Sequence, residues 1–261
     1  MALGTGPAAE LASRRAGLAH ALPQLAVPDL CELAVVANAT GLTPDRPAFH
    51  APIARIAEVP SLFDTAAMGG LLSGERRIDV FNCLRTPQDI SFAGGVFVVV
   101  RCEDAETWAV LAQKGHTVSR SGEAAMLWLP RHLLGLEAPI SLLDAVVNGV
   151  SVAGEPRPVV DLVGRTSRRL EAGTLLEAEG HHHTIDGVGP ELVEARPLAA
   201  DRALPYYLLS GRRLTRDIPA GAQITMADVT LDETAPLLAL RRRQDAHFFT
   251  TEARAPAQQT V

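Results

Sequence analysis

The sequence predicts an α+β chain in two parts: an α/β-layered part over residues 1–155 and a turn-rich β part over 156–250, followed by a frayed tail at 251–261. Three observations predict this. Segments of helical and strand character alternate up to Gly154-Glu-Pro-Arg-Pro158, the best linker in the chain. Beyond it, short apolar runs are broken by glycines and prolines to about Leu231, the pattern of a small β module. Within that region a nine-residue pattern occurs twice. Arg168-Arg-Leu-Glu-Ala-Gly-Thr-Leu-Leu176 and Arg216-Asp-Ile-Pro-Ala-Gly-Ala-Gln-Ile224 both read Arg-x-(Leu/Ile)-x-Ala-Gly-x-x-(Leu/Ile). Two strand–turn–strand units of one kind predict a module closed on itself; the alternative is coincidence in a chain rich in Ala and Gly.

Taken in order, residues 1–26 are Ala-rich and weakly helical. Residues 28–40 form a firmer helix, with Asp29 as its cap, Glu32 completing a capping box and Gly41 as its stop. Residues 43–76 have little period and read as irregular connections. A strand is expected at 78–84, and 94–101 is bulky and β-branched enough to be buried on both faces. Asp104 caps a helix that runs through Lys114, with Ala105, Trp108 and Leu111 or Ala112 inward and Gly115 as its stop. Residues 124–129 form another apolar strand, and Pro139 opens a helix over 140–148. In the second part, Pro219 and Gly221 suit the first corner and last position of a type I turn. Thr225 then caps a short helical turn with Asp228 at the capping-box position. A basic helix over 236–249 presents Arg241-Arg-Arg243 to solvent, with an anionic contact as the alternative.

Composition narrows function. The formal charge of −6 excludes the basic footprint of a nucleic-acid binder. Cys31, Cys83 and Cys102 are an odd count without CxxC spacing, so buried thiols in a reducing compartment are expected. Residues 1–15 lack an apolar signal core and no run reaches the roughly 18–20 apolar residues of a membrane span, which places the chain in the cytoplasm and off the membrane. Of twenty-four basic residues only Lys114 is a lysine. A mechanism that needs a catalytic lysine has to use this surface-like residue or do without.

The stretch Arg216-Asp-Ile-Pro-Ala-Gly, its Ile-Thr and its Asp228-Val229 end resemble the SAF domain, a β-clip module of several unrelated host proteins. Three further segments carry a second likeness: Cys31-Glu-Leu-Ala-Val-Val-Ala-Asn-Ala-Thr-Gly-Leu42, Phe92-Ala-Gly-Gly-Val-Phe-Val-Val-Val100 and Pro130-Arg-His-Leu-Leu-Gly-Leu-Glu-Ala-Pro-Ile-Ser141. Together they resemble the homoserine-dehydrogenase-like oxidoreductases, and among these the deoxyxylulose-phosphate-reductoisomerase-like group, abbreviated DRL. That resemblance implies a Rossmann domain, then an α+β catalytic and dimerisation domain, then a SAF domain. It also implies NAD(P) as cofactor, a small polar carbonyl or hydroxy-acid substrate and a homo-oligomer. Two departures stand out. The strand, Gly-rich turn and helix of a Rossmann domain are absent, since Gly4-Thr-Gly-Pro-Ala-Ala follows only three residues and carries a proline. Leu25-Ala-Val-Pro28 stands where the family commonly carries Asp-Gly-Thr-Lys. The expectation is a truncated or N-terminally shortened relative, inactive alone and binding no cofactor by itself, with a separate Rossmann-domain partner as one route to activity. The alternative is a non-enzymatic carbohydrate-binding or assembly module built on the SAF domain.

The candidate site residues follow. Glu32 matches the family's helix glutamate and is equally a capping residue. His132 and Glu137, between a strand and a helix, could shuttle a proton, or the histidine could simply satisfy backbone groups. Asn38, Arg131 and Arg216 are the candidates for holding substrate, although Asn38 also suits a helix end and Arg131 a solvated surface. His181, His183 and Asp186 make a two-His metal site conceivable, but no second carboxylate cluster accompanies them and no metal is expected.

Overall fold

The computed structural model describes residues 6–22 and 25–249, so the expected tail lies outside the described residues. Helix α1 spans Ala8–Leu18 and α2 Val27–Thr40. Strand β1 (Ile53–Ala54), α3 (Val59–Leu62), β2 (Asn82–Cys83) and β3 (Val96–Arg101) follow. Next come α4 (Ala105–Gln113), β4 (Thr117–Val118), β5 (Ala124–Leu129) and α5 (Leu134–Leu143). The remainder holds β6 (Val160–Thr166), β7 (Leu175–Leu176), β8 (Val188–Glu194), α6 (Tyr206–Leu209), β9 (Arg212–Arg213) and α7 (Pro236–Phe248). The mixture of helices and small sheets is α+β. The chain divides into two compact units, residues 1–24 with 49–155 and residues 25–48 with 156–261. Residues 25–48, read from sequence as part of the first domain, therefore pack with the second unit.

In the first unit β3, β5 and β4 form an antiparallel sheet in the order β3-β5-β4, with Val96 opposite Leu129, Phe97 opposite Trp128 and Val98 opposite Leu127. The two-residue alternation of strand side chains sends Phe97 and Trp128 to one face, where they join Phe63, Phe81 and Phe92 in an aromatic cluster with ring centroids 5.2–6.2 Å apart. Val96, Val98, Leu127 and Leu129 take the other face and stay exposed. The expectation that β3 is buried on both faces is thus corrected. Its β-branched run fits a pleated sheet, but only one side is covered in this chain. Helix α1 is fixed to the same unit by Arg15, whose guanidinium holds both oxygens of buried Glu58 at 2.7 and 2.9 Å.

Three local readings change in the structure. Helix α2 begins at Val27 with Ala26 as its N-cap and no side-chain cap, because Pro28 is tolerated in a helix's first turn. Asp29 then lies inside that turn, where its charge complements the helix dipole, and the capping box with Glu32 does not form. Helix α5 starts at Leu134, so Pro139 lies within it rather than opening it, and the helix continues as a π-helical turn over Asp144–Asn148. Ala105 is exposed, whereas Trp108 is buried and donates its indole N–H to the Cys102 and Glu123 carbonyls. By contrast Asp104 caps α4 by accepting from the Glu106 N–H at 3.0 Å, as its place in the sequence predicts.

The second unit is organised by the repeat. Leu170 and Ile218 exchange both backbone hydrogen bonds, at 2.9 and 2.8 Å. Thr166 N–H donates to the Ala222 carbonyl, and its counterpart Leu214 N–H donates to the Thr174 carbonyl. Gly221 N–H reaches the Thr166 carbonyl as Gly173 N–H reaches that of Leu214. Gly173 and Gly221 sit at positive φ, 83° and 78°, which a side chain rarely adopts. Each of these backbone bonds of one copy has a counterpart in the other, so the copies clasp each other, and Leu170, Leu176, Ile218 and Ile224 are buried in this unit. The Thr225–Asp228 capping box forms as read from the sequence, with the carboxylate accepting from the Thr225 N–H at 2.7 Å. Antiparallel β6 and β8 complete the layer. Helix α7 docks through Leu238 and Arg241. Arg241 is buried, contrary to the solvated face expected of the arginine run, because Asp161 takes its fork at 2.6 and 2.8 Å and Asp245 its Nε at 2.7 Å.

Asp217 joins the two copies by accepting from the Ala172 N–H at 2.8 Å and pairing with Arg169. The backbone hydrogen bond first, and the arginine second, hold its carboxyl below the usual aspartate value. A depressed folded-state pKa adds stability above the unfolded value of about 3.9, and that stability is lost as pH falls through the lower folded value. The stability gap between wild type and Asp217→Asn is therefore expected to close as pH drops below about 4. Urea titrations over an acid pH series measure it, and a gap independent of pH would contradict this role.

Candidate active site

The first unit contains a histidine–carboxylate pair that the sequence reading missed. Strands β1 and β2 pair in parallel with Ile53 opposite Asn82. Carried three residues back along both chains, that register sets Asp79 beside His50. Ile78 and Phe81 are buried on either side of Asp79, so the carboxylate is drawn inward and has to find donors. It finds four. Oδ2 accepts from the His50 backbone N–H at 3.0 Å and lies 2.8 Å from His50 Nδ1. Oδ1 accepts from the Ala51 N–H at 3.1 Å and the Val80 N–H at 2.8 Å. Asn82 Nδ2 adds a bond to the Ala51 carbonyl at 3.0 Å.

This clamp holds a strained loop. Phe49 and Ala51, neither of them glycine, have φ of 56° and 42°. Such residues cost about 1–3 kcal/mol each and persist only where surrounding contacts over-determine them, a condition that clusters at active sites. The side chains of His50 and Asp79 are only 7% and 3% exposed, so the pair is shielded from bulk screening. With a carboxylate facing Nδ1, the ring's proton belongs on that nitrogen, and Nε2 is left as the working atom. Nε2 has no hydrogen-bond partner among the described residues. Asp79 fixes the ring and balances the charge when the imidazole is protonated. The pair can therefore pass a proton to or from an oxygen placed at Nε2.

Of the residues picked out from the sequence, His132 and Glu137 come together within the first unit. His132 Nδ1 lies 3.4 Å from Glu137 Oε2, but both are about two-fifths exposed, and Glu137 also accepts from the Leu133 N–H at the start of α5. Arg131 is exposed and makes no hydrogen bond or ion pair among the described residues. Asn38 is occupied by backbone: Oδ1 accepts from the Val159 and Val160 N–H groups at 2.7 and 2.9 Å, and Nδ2 donates to the Val160 carbonyl at 3.2 Å. Glu32 is exposed, with no hydrogen bond or ion pair among the described residues. Arg216 donates Nε to buried Asp228 at 2.6 Å, with the rest of its side chain largely in solvent. Glu32, Asn38 and Arg216 belong to the second unit, and Arg131, His132 and Glu137 to the first.

Other chemistries find less support. Burial pushes the Cys31 and Cys83 thiols up, away from the nucleophilic thiolate. Asp186 is paired with Arg168, and His183 Nδ1 lies 3.0 Å from the Tyr207 hydroxyl. Among the described residues no three His, Cys, Asp or Glu side chains cluster as metal ligands, and no helix is long and apolar enough to cross a membrane. Nor do the described residues show the nucleotide-binding turn of a Rossmann domain. Their one parallel strand pair is two residues long and opens no Gly-rich turn onto a helix N-terminus.

Residues 28–138 match the family model described as the oxidoreductase DRL catalytic domain. The match covers less than half of the chain and includes His50, Asp79 and Asn82. No curated protein matches the chain. Residues 28–138 are thus similar to the catalytic domain of the DRL oxidoreductases.

Proposed function

We propose that this chain carries the proton-transfer part of an oxidoreductase acting on a small polar carbonyl or hydroxy acid. The observation that carries this reading is the clamped His50–Asp79 pair within the segment that resembles the DRL catalytic domain. In the reducing direction the imidazolium gives its Nε2 proton to the substrate oxygen as negative charge develops there. In the oxidising direction neutral Nε2 takes the proton from the hydroxyl. Asp79 keeps Nδ1 protonated in both directions and so leaves Nε2 as the atom that exchanges the proton. This fills the role left by the missing lysine at Leu25-Ala-Val-Pro28. The nicotinamide cofactor is held in this reading by a separate Rossmann domain or partner. The second unit is read as a SAF module, supported by its clasped repeat, and the three free thiols agree with a cytoplasmic setting.

The test is NAD(P)H consumption by the native full-length protein, with its cofactor-binding domain or partner, across a panel of small aldoses and keto acids. Turnover with at least one member is expected. No turnover with any of them would favour the alternative of a non-enzymatic carbohydrate-binding or assembly module.

A further inference from the structure

Three histidines stand at the tip of a hairpin in the second unit. Glu179 and Thr184 close it with a reciprocal pair of backbone hydrogen bonds, both 3.0 Å, and residues 180–183 make the turn between them. On an extended strand His181 and His183 would share a face, which is how the sequence groups them with Asp186. The turn groups them differently. His183 sits at φ 50°, and its Nδ1 lies 3.0 Å from the Tyr207 hydroxyl. The Tyr206 hydroxyl donates to the His183 carbonyl at 3.3 Å and accepts from the Ile185 N–H at 3.1 Å. Asp186 is held by Arg168. His181 and His182 are left over. Both are exposed, neither makes a hydrogen bond or ion pair among the described residues, and their ring centres are 5.3 Å apart.

We propose that His181 and His182 form an open site for a divalent late transition-metal ion, Zn²⁺ or Cu²⁺, with water in the remaining positions. Neutral imidazole suits these ions, whereas Mg²⁺ and Ca²⁺ take oxygen ligands. The spacing fits. A metal–nitrogen bond of about 2.0–2.1 Å puts each ring centre about 3.2 Å from the ion, so two imidazoles on one tetrahedral ion have centres about 5.2 Å apart. What remains is rotation about the side-chain bonds, and neither exposed ring has a partner to give up. The two tyrosine hydroxyls and the Glu179–Thr184 pair already hold the turn, so binding orders little besides these rings. Glu177 and Glu179 at the foot of the hairpin are exposed carboxylates without an ion pair among the described residues, and their field favours a cation. Two protein donors make an exchangeable site rather than a closed structural centre, in keeping with the absence of any three-ligand cluster among the described residues. The site stands apart from the oxidoreductase reading and does not depend on it.

Calorimetric titration of the metal-free full chain with Zn²⁺, Cu²⁺ and Mg²⁺ tests this. One Zn²⁺ per chain, tighter Cu²⁺ and no Mg²⁺ binding are expected. His181→Ala and His182→Ala should each weaken Zn²⁺ binding by no less than the about 10- to 100-fold that follows loss of a mere supporting group. Asp186→Ala, which removes a member of the grouping suggested by the sequence, should leave it unchanged, as should His132→Ala among the other exposed histidines. All four positions are exposed, so tyrosine and tryptophan unfolding midpoints should hold and separate a lost ligand from a lost fold. No saturable Zn²⁺ or Cu²⁺ binding, binding that survives both His181→Ala and His182→Ala, or binding lost in Asp186→Ala would overturn the proposal.

Discussion

Asp79→Ala is expected to destabilise the first unit by about 3–5 kcal/mol, because it removes one acceptor and strands four donors. Three of these are backbone N–H groups, of His50, Ala51 and Val80, and the fourth is His50 Nδ1. The loop they belong to holds two non-glycine residues at positive φ, and once the carboxylate is gone the Asn82 side-chain bond to the Ala51 carbonyl is left to hold it against that strain. Both tryptophans, Trp108 and Trp128, lie in the first unit, which makes their fluorescence its own reporter. The tryptophan midpoint in urea should fall by at least about 1 M, given typical slopes of 1–3 kcal/mol/M. Asp79→Asn keeps one oxygen for the Ala51 and Val80 N–H groups and should cost less. An unchanged midpoint for the alanine variant would show that the clamp does not hold the loop.

Arg241→Ala should destabilise the second unit by a similar amount, about 3–5 kcal/mol, because it leaves Asp161 and Asp245 as unpaired, poorly solvated carboxylates. It also removes the bond to the Arg196 carbonyl, at 2.6 Å, that helps tie α7 down. Arg241→Lys cannot reproduce the fork that spans both carboxylates and should recover only part of the loss. Both tyrosines, Tyr206 and Tyr207, lie in this unit, so tyrosine fluorescence excited apart from tryptophan follows it. A tyrosine midpoint that does not move would contradict the buried-network account.

Features decided within a few residues were legible in the sequence. The Thr225–Asp228 box, the Asp104 cap and the positive-φ Gly41 at the end of α2 each follow from one turn's own groups. The repeat was legible as a pattern, and the structure gives it a cause in the hydrogen bonds that the two copies exchange. What failed to show depends on partners far along the chain. Arg241 looks solvated until Asp161 comes beside it. Strand β3 looks buried on both sides because composition does not tell a covered face from an open apolar one. Pro139 looks like a helix start because its tolerance inside α5 is not written in its neighbours. The His50–Asp79 pair was hidden in the same way, since only the parallel register of β1 and β2 joins its members. One signal was available: a single carboxylate inside the apolar run of residues 78–84 needs donors, and His50 stands in another stretch bracketed by prolines.

The central claim, that His50 Nε2 moves a proton at the reacting oxygen, is tested most directly by kcat of His50→Gln against wild type in the assembled oxidoreductase. Glutamine retains a polar side chain in the loop but cannot serve as acid or base. A fall in kcat of about 10²- to 10⁴-fold, with the tryptophan unfolding midpoint little changed, is the predicted result. Equal turnover by the two proteins would contradict the claim and leave the His50–Asp79 pair as a clamp on a strained loop.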